Sequence, residues 1–318
     1  MSSTASSSTA TSPTAIVFPG QGSQAVGMLG ELAEQYGVVQ QTFSEASEVL
    51  GYDLWALVQQ GPEADLNETH RTQPALLAAS VAIWRVWEAQ GGAAPAMLAG
   101  HSLGEYSALV CAGVLDFKAA IKLVELRGRL MQEAVPAGIG AMSAIIGLDN
   151  EAIATACEQA AQGQVVSPVN FNSPGQVVIA GNKEAVERAN ALCKDAGAKR
   201  ALPLPVSVPS HCALMKPAAE KLAQALESVT FNTPRIPVVN NADVATPIEP
   251  AQIKEALVRQ LHSPVRWTET VEHMAAEGVE QLLEFGPGKV LTGLTKRINK
   301  ALSSAAVNDS ASLAAAKA

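Results

Sequence analysis

The stretch GHSLGEY (100–106) follows the short apolar run APAMLA (94–99) and precedes a helical pattern. Gly100, Ser102 and Gly104 satisfy G-x-S-x-G at a strand-to-helix junction, the context in which a sharp turn exposes a serine oxygen at the tip of a sheet. The two glycines suit such a turn because the backbones come too close for a Cβ atom. Ser102 is therefore the candidate nucleophile, and the turn predicts an α/β core around it.

Working outward, apolar runs bounded by Gly and Pro alternate with helical patterns. TAIVF (14–18) reads as a buried strand and AMLA (96–99) as the next. Pro74 suits the first turn of a long helix through LLAASVAIWRVWEAQ. A further helix runs from about Asp116 to Ala134. The middle changes character: strand 141–147, helix 149–161, two strands about Asn172–Gly175, a helix from 183 and a last strand ending near 206. That β-α-β-β-α-β order is the split unit of a ferredoxin-like fold. Strands and helices then alternate again to about residue 300, which implies a mainly parallel sheet covered on both faces. The expected organisation is an α/β core at 14–136 and 207–300. A ferredoxin-like subdomain at 137–206 interrupts it, with a cleft between the two. The simple segments 1–13 and 302–318 are expected to stay outside the fold as disordered tails.

Composition narrows the function. Thirty acidic against 22 basic residues leave a formal charge of −8, spread without blocks, which argues against a general nucleic-acid binder. No apolar run is long enough to cross a bilayer, and the N-terminus lacks the basic and apolar regions of a secretory signal. A cytoplasmic protein is expected. The four cysteines (111, 157, 193, 212) form no metal or redox spacing and read as reduced thiols.

A serine hydroxyl needs an adjacent base. His101 is locked in the turn, and His70, His262 and His273 lie in polar helical contexts. His211, in VPSHCAL, stands where the chain returns from the insert to the core and must pass the cleft, so it is the candidate base. No Asp or Glu stands out as the acid that orients it, and that member stays open. Gly20, Gly22 and Ala25 formally satisfy a dinucleotide fingerprint, but residues 30–50 look helical where a second strand is needed. The loop after the first strand is better placed to supply an oxyanion N–H.

On the 116–134 helix, Arg127 falls in the middle of the apolar stripe formed by Ala120, Leu123, Val124, Leu130 and Met131, whereas Arg129 faces the polar side. An unpartnered buried guanidinium is costly, several kcal/mol or so. Either an internal partner offsets that cost, or the partner is a carboxylate on the substrate, gripped by paired N–H···O bonds.

FPGQGSQ, TQPAL (72–76), GHSLGEYSAL, LRGRLMQ, VNFNSPGQVVIAG, PVSVPSHCALM, HSPVRW and EFGPGKVL together resemble the malonyl-CoA–acyl carrier protein transacylases, in order over about residues 14–300. The resemblance implies an α/β-hydrolase-like core with a ferredoxin-like insert, with Ser102 as nucleophile and His211 as base. It also implies the backbone N–H groups of Gln21 and Leu103 as the oxyanion hole, Arg127 as the grip on the malonyl carboxylate, and the Gln260 carbonyl as the group orienting His211. The implied partners are malonyl-CoA and acyl carrier protein, with neither metal nor redox cofactor. A serine hydrolase or thioesterase, an acyltransferase serving polyketide synthesis and a non-catalytic carrier-binding module are the alternatives.

Overall fold

The computed structural model describes residues 13–206 and 208–318. The first apolar run forms β1 (Thr14–Phe18), four of its five residues buried. Four short helices follow: α1 (Gly30–Gln35), α2 (Gly37–Leu50), α3 (Leu54–Gln60) and α4 (Glu63–Leu66). α5 (Thr69–Ala89) is a long helix buried over most of its surface. It begins five residues before Pro74, so the proline sits in the second turn and not the first. No side chain caps this helix, and its start therefore carries no sequence signal.

β2 (Met97–Gly100), α6 (Gly104–Cys111) and α7 (Phe117–Ala134) come next, α7 capped by the Asp116 side chain on the Ala119 N–H. The inserted segment is β3 (Gly140–Ile146), α8 (Asn150–Ala161), β4 (Val166–Ser173), β5 (Gln176–Asn182), α9 (Lys183–Asp195) and β6 (Arg200–Pro203). Its strands form an antiparallel sheet in the order β4-β5-β3-β6. The chain then runs through α10 (Lys216–Leu226), β7 (Val238–Val239), α11 (Pro250–His262), α12 (Trp267–Ala276), β8 (Gln281–Phe285), α13 (Val290–Ile298), β9 (Ser303–Val307) and α14 (Ser310–Lys317).

The core sheet is parallel throughout, in the order β7-β2-β1-β8-β9. Its two faces bury separate apolar clusters. Ile16, Phe18 and Phe285 pack under α5 and α7, while Ala15, Val17 and Leu282 pack against Trp267 and Val271 of α12. Burying both faces explains why these strands read as continuous apolar runs.

The C-terminal segment departs from expectation. Residues 303–307 pair with β8 as the edge strand, and Asp309 and Ser312 close a reciprocal capping box on α14. Leu302, Val307 and Leu313 are buried. The segment is poor in large apolar residues, but a strand added to an existing edge draws on ready backbone partners. Residues 1–12 of the expected N-terminal tail lie outside the described residues.

The inserted sheet is seated on the core through β4. Phe171 N–H donates to the Val265 carbonyl at 3.0 Å, Val265 N–H to Val169 at 2.7 Å and Thr268 Oγ1 to the Phe171 carbonyl at 3.1 Å. His101, beside the nucleophile, adds a 2.8 Å contact from Nε2 to Asn172 Oδ1, and its ring packs tilted against Trp267, 5.5 Å between centroids.

Candidate active site

Ser102 stands at the carboxyl end of β2, in the left-handed backbone region at φ 53°. That conformation is costly for a residue with a Cβ and is characteristic of strained functional turns. The turn is as tight as its glycines imply: a Cβ on Gly100 would overlap the backbone of Gly104, and one on Gly104 the carbonyl of Phe18. A Cβ on Gly20 would lie 2.5 Å from the His101 carbonyl, so the loop after β1 passes directly over the serine turn.

His211 also has a positive φ, 62°, and is buried. Its Nε2 lies 2.7 Å from Ser102 Oγ and its Nδ1 2.7 Å from the backbone oxygen of Gln260, in the last turn of α11. A carbonyl only accepts, so Nδ1 carries the ring proton and Nε2 is left to accept from the serine hydroxyl. Burial first, and the charge of Arg127 second, push the His211 imidazolium down to about 3. The histidine is a neutral, proton-accepting ring at neutral pH.

Arg127 is 1% exposed. Its Nη1 donates to Gln73 Oε1 at 2.8 Å; its Nη2 donates to Gln260 Oε1 at 3.1 Å and, more weakly, to Ser102 Oγ at 3.4 Å. The guanidinium also lies over the Tyr106 ring, 5.3 Å from its centroid. Among the described residues no carboxylate forms a salt bridge with it, and its buried Nε has no partner. Gly128 explains how α5 and α7 approach closely enough for the Gln73 bond: a Cβ there would lie 2.6 Å from the His70 Cα. Arg129, by contrast, is exposed and paired with Glu125.

The two expected oxyanion donors flank this group. Leu103 follows the serine and Gln21 lies in the loop over it. Neither backbone N–H has a hydrogen-bond partner among the described residues. The Gln21 side chain reaches Thr69 Oγ1 at 3.4 Å. His70, His262 and His273 are all partly exposed, and none makes a bond to Ser102.

Three residues of the site escaped sequence reasoning: Gln73, Glu105 and Asn241. Asn241 follows β7, where its Oδ1 accepts from Ser102 N–H at 2.8 Å and its Nδ2 donates to the Gly100 carbonyl at 2.7 Å. Glu105 is buried, and desolvation pushes its carboxyl up to about 7. Each is a polar residue beside an apolar run, and that is a weak signal without knowledge of which faces meet. Among the described residues no group of three or more His, Cys, Asp and Glu is placed to hold a metal. Among the described residues no helix is long and apolar enough to cross a membrane.

A serine bonded to an imidazole at a strand-to-helix turn, beside free backbone donors and a buried guanidinium, defines a serine-nucleophile acyl-transfer enzyme on an α/β sheet. A family model described as Acyl transferase domain matches residues 15–315. The malonyl CoA-acyl carrier protein transacylase of Escherichia coli K12 is 70% identical over 302 residues, covering 95% of this chain and 98% of that relative. A crystal structure of an acyl carrier protein S-malonyltransferase from Vibrio cholerae superposes with a TM-score of 0.95 at 76% identity, covering 96% of this chain and 100% of that one. A malonyl-transacylase solved in complex with a type II polyketide synthase acyl-carrier protein matches at a TM-score of 0.96 and 72% identity, over 96% and 99% of the two chains. The chain belongs to the malonyl-CoA–acyl carrier protein transacylase family.

Proposed function

We propose that the protein moves a malonyl group from malonyl-CoA to the phosphopantetheine thiol of acyl carrier protein, through a malonyl ester on Ser102. The observation that carries the substrate choice is Arg127: a buried cation without a carboxylate of its own, 3.4 Å from the serine oxygen. A dicarboxylic half-thioester supplies the missing anion at the point where the acyl group must sit.

Ser102 Oγ attacks the thioester carbon while His211 Nε2 takes its proton, and the resulting oxyanion is held by the N–H groups of Gln21 and Leu103. The carbon–sulfur bond breaks, and the imidazolium returns its proton to the departing coenzyme A thiolate. The carrier thiol next yields its proton to His211 and attacks the ester. The ester C–O bond breaks, and Ser102 recovers its proton. The Gln260 carbonyl holds the ring throughout. It is a neutral acceptor and stabilises the imidazolium less than a carboxylate does.

When malonate occupies Arg127 it also offsets the positive charge that depresses His211, so the proper acyl group improves the base. The role that follows is supply of malonyl units for fatty-acid synthesis in the cytoplasm. The solved relative bound to a polyketide carrier supports a polyketide carrier as a second acceptor.

The test is intact-mass spectrometry after mixing with malonyl-CoA. A malonyl adduct on Ser102 that persists alone and disappears on adding holo carrier protein is expected. Turnover to free malonate without a lasting adduct would instead identify a hydrolase, and no reaction at all would leave a binding module.

A further inference from the structure

Glu105 lies three residues beyond the nucleophile, in the first turn of α6, and is 2% exposed. A carboxylate there has its own helix to cap. Instead it reaches across to two other segments. One oxygen, Oε2, accepts from the backbone N–H of Asn241 at 3.0 Å and from Gln260 Nε2 at 3.1 Å. Each of those residues holds one half of the reacting pair. Asn241 clamps the serine turn on both sides, through Ser102 N–H and the Gly100 carbonyl. Gln260 presents its backbone oxygen to His211 and shares its side-chain NH2 with the Ser102 carbonyl at 2.9 Å.

We propose that Glu105 is a positioning residue for both Ser102 and His211, its carboxyl fixing the serine turn through Asn241 and the ring-orienting carbonyl through Gln260. The inference rests on reading Ser102 as the nucleophile. It locates the acid missing from the triad: the carboxylate is present, but one residue removed from the imidazole it steadies. What matters is an acceptor oxygen at the Oε2 position, not the charge, since either protonation state of the carboxyl keeps such an oxygen.

The test compares Glu105→Met, Glu105→Asp and Glu105→Gln in two single-turnover reactions. One is acylation of Ser102 by malonyl-CoA. The other is labelling of Ser102 by a sulfonyl fluoride, which carries no carboxylate for Arg127. Glu105→Met is expected to lower the maximal acylation rate about 10²-fold, the scale of a displacement near 1 Å, while the half-saturating malonyl-CoA concentration stays within about threefold. Labelling should fall in parallel. Glu105→Asp, which withdraws the carboxylate by one methylene, should lose roughly tenfold, and Glu105→Gln, which keeps an acceptor oxygen, should stay within about threefold in both reactions.

Full activity in Glu105→Met, a loss in Glu105→Gln as deep as in Glu105→Met, or a loss seen only in the half-saturating concentration would each overturn the proposal. Should Glu105→Met fail to fold, Glu105→Asp decides by the same rule: a tenfold fall supports the proposal and an unchanged rate ends it. If the wild type takes no malonyl group, the labelling series alone decides, and the substrate assignment fails separately.

Discussion

Arg127 is the residue on which selectivity turns. Its bonds to Gln73 and Gln260 are to neutral amide oxygens, so they orient the guanidinium without pairing it to a carboxylate. Replacing Arg127 with Ala should therefore lower malonyl transfer by about 10⁴-fold, the scale at which sites built for a polar partner discriminate, while acetyl transfer is kept or rises. Parallel assays with malonyl-CoA and acetyl-CoA check this, and equal losses would mark Arg127 as structural. Burial, and after it the charge of Arg127, sets the pH dependence. His211 is held neutral down to about 3, so single-turnover acylation should show no acid limb in the usual imidazole range near 6.5. The fall should come only well below pH 5. Removing Arg127 takes away a cause of the depression, so in Arg127→Ala that limb should move to higher pH. Ser102, His211 and Arg127 were legible because each violates its local pattern: a serine between glycines, a histidine at the return to the core, a cation in an apolar stripe. Gln73, Glu105 and Asn241 were not. Their partners lie 54, 155 and 139 positions away, and no local periodicity encodes such distances.

At the level of elements, the turn between β2 and α6 and the crossing of α5 on α7 set the geometry of the site. Both depend on glycines that remove a Cβ at a point of backbone contact. Gly104→Ala drives a methyl into the Phe18 carbonyl. It should cost more than about 2 kcal/mol in unfolding free energy and should slow Ser102 labelling even where the protein still folds. Thermal melts and a serine-directed reagent read the two effects separately. Most elements could be read from apolar runs and their Gly and Pro boundaries, the β-α-β-β-α-β insert included. The start of α5 could not, because no cap marks Thr69 and Pro74 gave a false first turn. α3 and α4 are seven and four residues long, too short for a helical period to emerge.

For the whole molecule, the edge formed by β9 and α14 corrects the expectation of a loose tail. Composition understated it, since small residues suffice where β8 already offers backbone partners. Ending the chain at Ala301 removes Leu302, Val307 and Leu313 from the core and leaves β8 as an open edge. At roughly 1.5–3 kcal/mol per buried side chain, the truncated protein should melt roughly 10 °C lower or more. It should also aggregate more readily on heating, as exposed edges do.

The position of β1 also bears on synthesis. Of the five strands of the core sheet the central one, β1, is made first, yet one of its two neighbours, β8, begins at Gln281, the partner of Thr14. While the chain is still on the ribosome, the inserted sheet has all four of its strands within residues 140–203 and can close early. The catalytic sheet must wait for β8 and β9, at residues 281–307, to emerge. Until then β1 presents an uncovered parallel edge of unpaired backbone N–H and C=O groups on that side. The nascent chain is thus most in need of a chaperone around β1 until β8 has emerged.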